Sequence, residues 1–210
     1  RQGRRWSTAT GKALAFSLVL YPKVRPDKVP GITLAAAVAV ALTLEGYGLK
    51  PGIKWPNDIL LRGKKLCGIL TEMGPRRDNR PSVILGVGIN LNQTAPDFPA
   101  EIKGLATSFY RASGKKVDRI EFLQKLMKNL ERVCGWWDRG AFARVLKEWR
   151  KRSVTLGQKV SIENVSDSFK GMVADIDDDG FLWVVDKKGK NRKVLSGDVV
   201  LLKQSAKRFS

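Results

Sequence analysis

The sequence of 210 residues contains no histidine and only two cysteines. The absence of histidine excludes serine–histidine triads, histidine general bases and histidine metal ligands from these residues. Cys67 and Cys134 are too few for a disulfide framework or a four-cysteine zinc site. Both stand in apolar surroundings, which predicts buried free thiols in a reducing compartment. We therefore expect a cytoplasmic protein without a metal site of its own.

The chain also lacks a hydrophobic run long enough to span a membrane. The longest apolar stretch, residues 32–44, includes two threonines and is shorter than the roughly 18–20 residues that a membrane helix needs. No apolar segment follows the basic start, so a signal peptide is not indicated. The first residue is arginine rather than methionine, and we expect a fragment or a processed form.

Acidic residues are scarce beside basic ones. Aspartate and glutamate number 20 against 39 lysines and arginines, for a net charge of +19. Such a charge attracts polyanions, anionic substrates and acidic protein partners. Clustered lysine and arginine suffice for sequence-independent binding of nucleic acid, so a basic nucleic-acid-binding module is one interpretation. A generally basic surface with no specific role is another.

Hydrophobic patterning predicts two regions of different character. Residues 13–20 read as a buried strand, 32–45 as a buried helix, and 82–92 as an apolar strand interrupted by glycines. A long helix is predicted over residues 117–138, where Ile120 begins an apolar series at helical spacing, and a second helix over 141–151. The polar segment 74–81 reads as a mobile loop.

From about residue 154 the sequence changes to short strands separated by turn residues. Closely spaced strands of this kind predict a small SH3-like barrel. We therefore expect an α+β fold, with a first domain over residues 1–153 and a second over residues 154–204.

Residues 54–58, Lys-Trp-Pro-Asn-Asp, are the most informative segment. Proline lacks an N–H and biases the preceding tryptophan towards extended backbone, so the segment ends a strand in a bend. Asn57 and Asp58 can hold that bend through local hydrogen bonds. The bend would leave Lys54 at a strand end, where its charge could stabilise a transferring phosphoryl group. A surface turn with a solvated lysine is the alternative.

Two further segments could contribute to an anion site. Residues 1–6, Arg-Gln-Gly-Arg-Arg-Trp, combine a glycine with forked donors suited to phosphate. Taken alone they could equally be a basic terminus without structure. Residues 86–90, Gly-Val-Gly-Ile-Asn, would place two glycines on the floor of a pocket and Asn90 at its rim. Because they lie within a strand, they are not a dinucleotide-binding fingerprint.

In this order the segments closely resemble the catalytic region of biotin protein ligases. Residues 1–6 are similar to the second half of that family's arginine loop, and residues 54–58 match its Lys-Trp-Pro-Asn-Asp motif without a substitution. Residues 65–72 resemble its Lys-Leu-x-Gly-Ile-Leu-x-Glu strand, and residues 86–90 its Gly-x-Gly-Ile-Asn strand. The resemblance implies a class II synthetase-like domain, a mixed sheet with helices on one side, followed by an SH3-like barrel.

The resemblance also implies a two-step, AMP-forming reaction. Biotin is activated with MgATP to biotinyl-5'-AMP, and a lysine of a biotin carboxyl carrier domain then takes the biotinyl group. The family's catalytic lysine falls on Lys54, and Arg1 and Arg4 fall in the loop that closes over the adenylate. ATP and Mg²⁺ are the implied cofactors, and no protein ligand to the metal is implied.

Binding residues follow from the same resemblance. Biotin would contact Lys54 and three glycines of the central strands: Gly68, Gly86 and Gly88. The nucleotide would contact the arginine loop and two asparagines: Arg1, Arg4, Trp6, Asn57 and Asn90. The family's catalytic region begins upstream of its arginine loop, so we expect this chain to lack part of the biotin site.

Several partners and alternatives remain open at this point. A carrier domain of a biotin-dependent carboxylase is the expected partner, without membrane association. Homodimer formation is undecided, and DNA binding is expected only where a helix-turn-helix precedes this region. A lipoate-protein ligase of similar fold is the alternative enzyme, and a basic nucleic-acid-binding module is the alternative of another class.

Overall fold

The computed structural model describes residues 9–77, 80–163 and 168–202. Within these ranges the strands are β1 Ala13–Leu20, β2 Gly52–Lys54, β3 Asp58–Leu61, β4 Lys64–Arg77, β5 Arg80–Asn90, β6 Lys159–Glu163, β7 Ser168–Ile176, β8 Leu182–Asp186, β9 Asn191–Val194 and β10 Asp198–Leu201. The helices are α1 Gly31–Glu45, α2 Phe109–Ser113, α3 Arg119–Asp138 and α4 Phe142–Arg152. Short 3-10 turns occupy Pro26–Lys28 and Ala95–Asp97. The predicted α+β class is confirmed.

The first sheet has the strand order β1-β5-β4-β3-β2. Its described strands pair antiparallel throughout, whereas the resemblance implied a mixed sheet. Strands β2 to β5 follow one another through short connections, and such connections permit only antiparallel pairing, because a parallel pair needs a long crossover. Parallel geometry occurs at two isolated bridges, Ile53 with Ser153 and Lys65 with Ala106.

The expected loop over residues 74–81 is wrong in its main part. Strand β4 continues to Arg77 and β5 begins at Arg80, with Gly74 paired to Ser82. The Ser82 hydroxyl donates to the carbonyl of Pro75 at 2.6 Å. A hairpin ladder is held by backbone groups, so it can extend past the last apolar residue, and the polar composition of this segment concealed it.

Helix α1 forms the centre of the core. Twelve of its fifteen residues are buried, as expected for a helix that is apolar on every side. It lies between the first sheet, which it contacts through β2, β3 and β4, and the helices α3 and α4. None of the helices in the described ranges is both long and apolar enough to cross a lipid bilayer.

Helix α3 faces the core with Leu126, Leu130 and Val133 of the predicted apolar series, but the first member of that series lies on the outer face. Its N-cap Asp118 accepts hydrogen bonds from the backbone of Ile120 and Glu121, and the side chain of Ile120 is 60% exposed. The buried residues recur every three or four positions: Phe122, Leu126, Leu130, Val133 and Trp137. Two positions before Phe122 is about 200° around the helix, so burial of Phe122 leaves Ile120 on the outer face.

The second sheet is antiparallel, with the order β10-β6-β7-β8-β9. Its interior is built from alternate residues of short strands, including Val160 and Ile162 of β6 and Val184 of β8. This alternation is the period-2 pattern of a sheet with one buried face. The five short strands agree with the small β-domain expected after residue 154.

A carboxylate joins the loop after β5 to the start of β1. The Lys12 ammonium donates to both oxygens of Asp97, at 2.7 and 2.8 Å. The backbone N–H and the hydroxyl of Thr94 donate to the same carboxylate, at 2.7 and 2.8 Å. The ammonium first, and Thr94 second, lower the pKa of Asp97 to about 2.

This depressed pKa predicts an acid-sensitive contribution to stability. The contribution is fully present above the ordinary aspartate pKa of about 4 and is lost as the pH falls through about 2. In Asp97→Asn we expect a flatter fall of urea-unfolding free energy between about pH 4 and pH 2 than in the unmodified protein. Asp178→Asn, at an exposed position, is the control. Identical acid profiles for Asp97→Asn and the unmodified protein would contradict the prediction.

Candidate active site

The bend predicted at residues 54–58 joins two edge strands. Lys54 is the last residue of β2 and Asp58 the first of β3, and their Cα atoms are partners across the hairpin. Pro56 lies in the turn between them, where no ladder hydrogen bond is required of it. The lysine therefore stands at a strand end, as the sequence indicated.

Lys54 lies in one row with residues from every strand of the first sheet. The successive Cα partners are Lys54 in β2, Asp58 in β3, Gly68 in β4, Gly88 in β5 and Ala15 in β1. Residues paired across antiparallel strands project to the same face. The lysine consequently shares its face of the sheet with the glycines of the two central strands.

A second row continues the same face. Leu70 pairs with Gly86, and Gly86 pairs with Ser17 of β1. Because Gly68, Gly86 and Gly88 carry no side chain and β1 contributes only Ala15 and Ser17, the two rows form a shallow depression beside Leu70, which we call the glycine trough. Its residues are Ala15, Ser17, Gly68, Gly86 and Gly88. The structure thus brings together all three glycines proposed from the sequence.

The opposite face of these strands is apolar and buried. Cys67 and Ile69 of β4 and Leu85, Val87 and Ile89 of β5 are at most 3% exposed. Burial raises the pKa of the Cys67 thiol well above its ordinary value, which leaves it a neutral core side chain rather than a nucleophile.

Gly86 is not required by the backbone. A Cβ atom added there would lie 3.7 Å from the Leu70 carbonyl oxygen and 3.8 Å from both the Leu70 Cβ and the Ser17 Oγ. These are ordinary van der Waals distances, and the residue has strand geometry that any amino acid can adopt. The fold would therefore accept a small side chain at Gly86. The effect of the glycine is to leave the space above the sheet open.

The two asparagines assigned to the nucleotide have protein partners. The Asn57 amide donates to the carbonyl of Ile69 at 2.6 Å, and the Ile69 N–H donates to the Asn57 carbonyl at 3.1 Å. Asn90 is 5% exposed, donates to the carbonyl of Thr107 at 3.0 Å and accepts from the Gln93 amide at 2.8 Å. In this arrangement both side chains fix backbone around the glycine trough.

The two lysines nearest the bend differ in their partners. Asp58 forms an ion pair with Lys65 at 2.6 Å. The ammonium of Lys54 has neither an ion pair nor a hydrogen bond with any described residue. It is therefore the cation that remains available to an anion over the trough. The Asp58–Lys65 pair was not foreseen, although the hairpin at residues 62–64 was the signal that could have located it.

A cleft of about 340 Å³ lies beside the bend, between α1, β4 and the second sheet. Trp55 lines it but is only 3% exposed, so the ring is part of the protein interior. Other lining residues come from four regions of the chain: Pro30, Thr33, Asn57, Leu70, Met73, Gly180 and Phe181. Arg1, Arg4 and Trp6, which were proposed for the catalytic loop and the nucleotide, lie outside the described residues.

No group of three or more acidic or cysteine side chains that could hold a metal occurs among the residues that the structure describes. The only carboxylate of the rows described above, Asp58, is already paired with a lysine. A site of this composition can attract an anion and position it, but it offers no protein cage for a cation.

Two family models match the chain. The model of the Biotin/lipoate A/B protein ligase family matches residues 1–90, and the Biotin protein ligase C terminal domain matches residues 155–202. The first match contains the bend at residues 54–58 and all three glycines of the trough. The second contains the five strands of the second sheet.

Individual relatives agree with these matches. The chain is 38% identical over 202 residues to the "Bifunctional ligase/repressor BirA" of Bacillus subtilis, covering 96% of the chain and 62% of that protein. It is 36% identical to the "Biotin--[acetyl-CoA-carboxylase] ligase" of Mycobacterium tuberculosis, covering 97% of the chain and 74% of that protein. The chain thus spans less than two thirds of the Bacillus relative.

A solved structure extends the agreement to three dimensions. The biotin protein ligase of Aquifex aeolicus in complex with biotin and ATP superposes with a TM-score of 0.83 at 28% identity, covering 97% of this chain and 84% of that chain. Its structure without ligand gives a TM-score of 0.80. With the ordered motifs, the glycine trough and these matches taken together, the chain belongs to the biotin protein ligase family.

Proposed function

We propose that the protein is an ATP-dependent biotin protein ligase. The observation that carries the proposal is the single row that joins Lys54, whose ammonium is unpartnered among the described residues, to Gly68 and Gly88. A cation at one end of a trough that has only small side chains suits a ligand that has an apolar body and a reactive carboxylate.

The first step would form biotinyl-5'-AMP. A carboxylate oxygen of biotin attacks the α-phosphorus of MgATP, the bond to the β-phosphate oxygen breaks, and pyrophosphate leaves. Lys54 would stabilise the negative charge on the oxygens of the reacting carboxylate and phosphate. Magnesium arrives with ATP, and phosphate oxygens would supply most of its ligands, as is common for this ion.

The second step would transfer biotin to protein. The uncharged amine of an acceptor lysine attacks the carbonyl carbon of the mixed anhydride, AMP leaves, and the amine loses a proton as the amide forms. The acceptor is proposed to be a biotin carboxyl carrier domain. The net charge of +19 supports an acidic partner through electrostatic steering.

The remaining roles are proposals of the same kind. Biotin would lie on the glycine trough, because backbone without side chains permits close approach. Arg1 and Arg4 would close over the adenylate and exclude water, and Trp6 would contact the nucleotide. Asn57 and Asn90 would act by holding the backbone beneath it. The proposed domains remain residues 1–153 and 154–204, and the two free cysteines support a cytoplasmic location.

Lipoate ligation is the alternative that the first family description includes by name. The match of residues 155–202 to a biotin protein ligase C-terminal domain favours biotin. Excess unlabelled lipoate should therefore leave labelling by biotin unchanged, whereas suppression of labelling would favour the alternative.

The direct test uses the full-length protein with labelled biotin, MgATP and an acidic carrier domain. We expect biotinyl-5'-AMP to form without the carrier and the label to move to one carrier lysine when the carrier is added. Absence of both biotin binding by calorimetry and label transfer would sink the proposal. DNA affinity with a steep salt dependence that survives Lys54→Ala would favour the nucleic-acid module instead.

The role of Lys54 predicts a kinetic defect. In Lys54→Ala we expect biotinyl-5'-AMP formation to slow by at least about 100-fold, the range typical for loss of one electrostatic stabiliser. Rapid-quench measurement of the first turnover reports this rate. Lys50→Ala, an exposed lysine four residues earlier, is the matched control and should retain the unmodified rate. An unchanged burst in Lys54→Ala would refute the role.

The trough predicts that binding and stability respond oppositely to one methyl group. Gly86→Ala should raise the free energy of unfolding by about 0.4–1 kcal/mol, because alanine restricts the unfolded chain and fits the strand. The same Cβ would occupy space proposed for biotin, so we expect at least about tenfold weaker binding, equivalent to about 1.4 kcal/mol. Urea denaturation and titration calorimetry measure the two effects. Unchanged biotin affinity would remove Gly86 from the site.

A further inference from the structure

The residues on either side of Lys54 are hydrogen-bonded to the segment that leads into the second sheet. The carbonyl of Ile53 accepts from the N–H of Val154 at 3.0 Å, and the N–H of Trp55 donates to the Thr155 hydroxyl at 2.9 Å. The bridge between Ile53 and Ser153 lies in the same place. Both neighbours of Lys54, Ile53 and Trp55, are thus hydrogen-bonded to residues outside the first sheet.

The acceptor of the Trp55 N–H is itself fixed. Thr155 is fully buried, so its hydroxyl oxygen has no access to bulk water. The backbone N–H of Thr155 donates to the Ser153 hydroxyl at 3.1 Å, which holds the turn that presents the side chain. Removing the Thr155 oxygen would leave a buried donor on Trp55 without a partner, and a buried donor of this kind is costly.

The Trp55 side chain makes a second connection to the same half of the protein. Its indole Nε1–H donates to the carbonyl of Gly180, in the turn between β7 and β8, at 3.0 Å. Gly180 has φ +88°, and an added Cβ would lie 2.7 Å from Cδ1 of Leu34 in α1. The turn is therefore packed tightly against α1, which fixes the position of the Gly180 carbonyl.

We propose that the segment leading into the second sheet and the turn between β7 and β8 position the catalytic lysine, with Thr155 and Gly180 acting through Trp55. The inference deepens the proposed function and depends on it. The peptide groups before and after Lys54 and the indole ring of Trp55 are all hydrogen-bonded to these two segments, so they set the direction of the Lys54 Cα–Cβ bond. Displacement of a reacting group by about 1 Å can slow catalysis by about 100-fold even when the change lies away from the chemistry.

Positioning and mere packing predict different kinetics. Thr155 and Trp55 touch neither β4 nor β5 through these hydrogen bonds, so the trough proposed for biotin should remain intact in their variants. A positioning role therefore lowers the rate of adenylate formation at saturating biotin and ATP while the affinity for biotin is retained. A packing role lowers thermal stability and leaves that rate unchanged.

The deciding experiment compares three threonine variants of the full-length protein. Thr155→Val keeps the side-chain shape and removes the oxygen, and we expect biotinyl-5'-AMP formation in a single turnover to slow by about 10- to 100-fold while the dissociation constant of biotin stays within about twofold, since the trough is untouched. Thr155→Ser keeps the oxygen and should restore the rate. Thr43→Val removes another buried hydroxyl, one bonded to the carbonyl of Ala39, and controls for stability.

Each result decides the inference. A normal rate in Thr155→Val, or equal slowing in Thr43→Val, overturns it. Should Thr155→Val fail to fold, Trp55→Phe, which keeps a ring and removes the donor to Gly180, is expected to show the same loss of rate with retained biotin binding, and a normal rate overturns the inference. An unmodified protein that makes no biotinyl-5'-AMP refutes the proposed function itself, which separates the two failures.

Discussion

The antiparallel register between β4 and β5 is the constraint on which the rest of this structure depends. It places Gly68 opposite Gly88 and Leu70 opposite Gly86, and it places Cys67 opposite Ile89 on the buried face. A slip of one residue would turn these three glycines towards the core and the buried apolar side chains towards solvent. Packing of the apolar face under α1 therefore fixes the trough indirectly. Once the apolar side chains are buried on one face, the glycines must lie on the other.

The buried face that stabilises the sheet and the face proposed for the chemistry are consequently separate. A leucine, isoleucine or valine fully buried beneath the sheet contributes about 1.5–3 kcal/mol, whereas a glycine in a strand costs roughly 0.5–1 kcal/mol relative to alanine. The apolar face can therefore offset the glycines on the other. The face proposed for the ligand can therefore lack large side chains while the sheet stays folded.

Trp55 illustrates how a motif residue can have a role that its neighbours in sequence do not reveal. As a large aromatic next to a lysine it suggests a cleft wall, and it does line the cleft beside the bend. Its ring is nevertheless buried, and its two N–H groups bond to residues 100 and 125 positions later. Residues 54–58 thus end a strand and also connect the first sheet to the C-terminal part of the chain. Lys54 lies at this connection.

Local patterns were sufficient for the strands and helices with strong apolar periodicity, for the bend at residues 54–58 and for the order of motifs that indicates the family. They failed where backbone pairing continued into polar residues 74–77 and 80–81, and where Ile120 lies on the outer face of α3. The sequence by itself determined which residues could line the site. Only the tertiary structure decided that Lys54, Gly68 and Gly88 share one row and that Thr155 and Gly180 hold the residue beside the lysine, because register and long-range hydrogen bonds join segments that no local pattern relates.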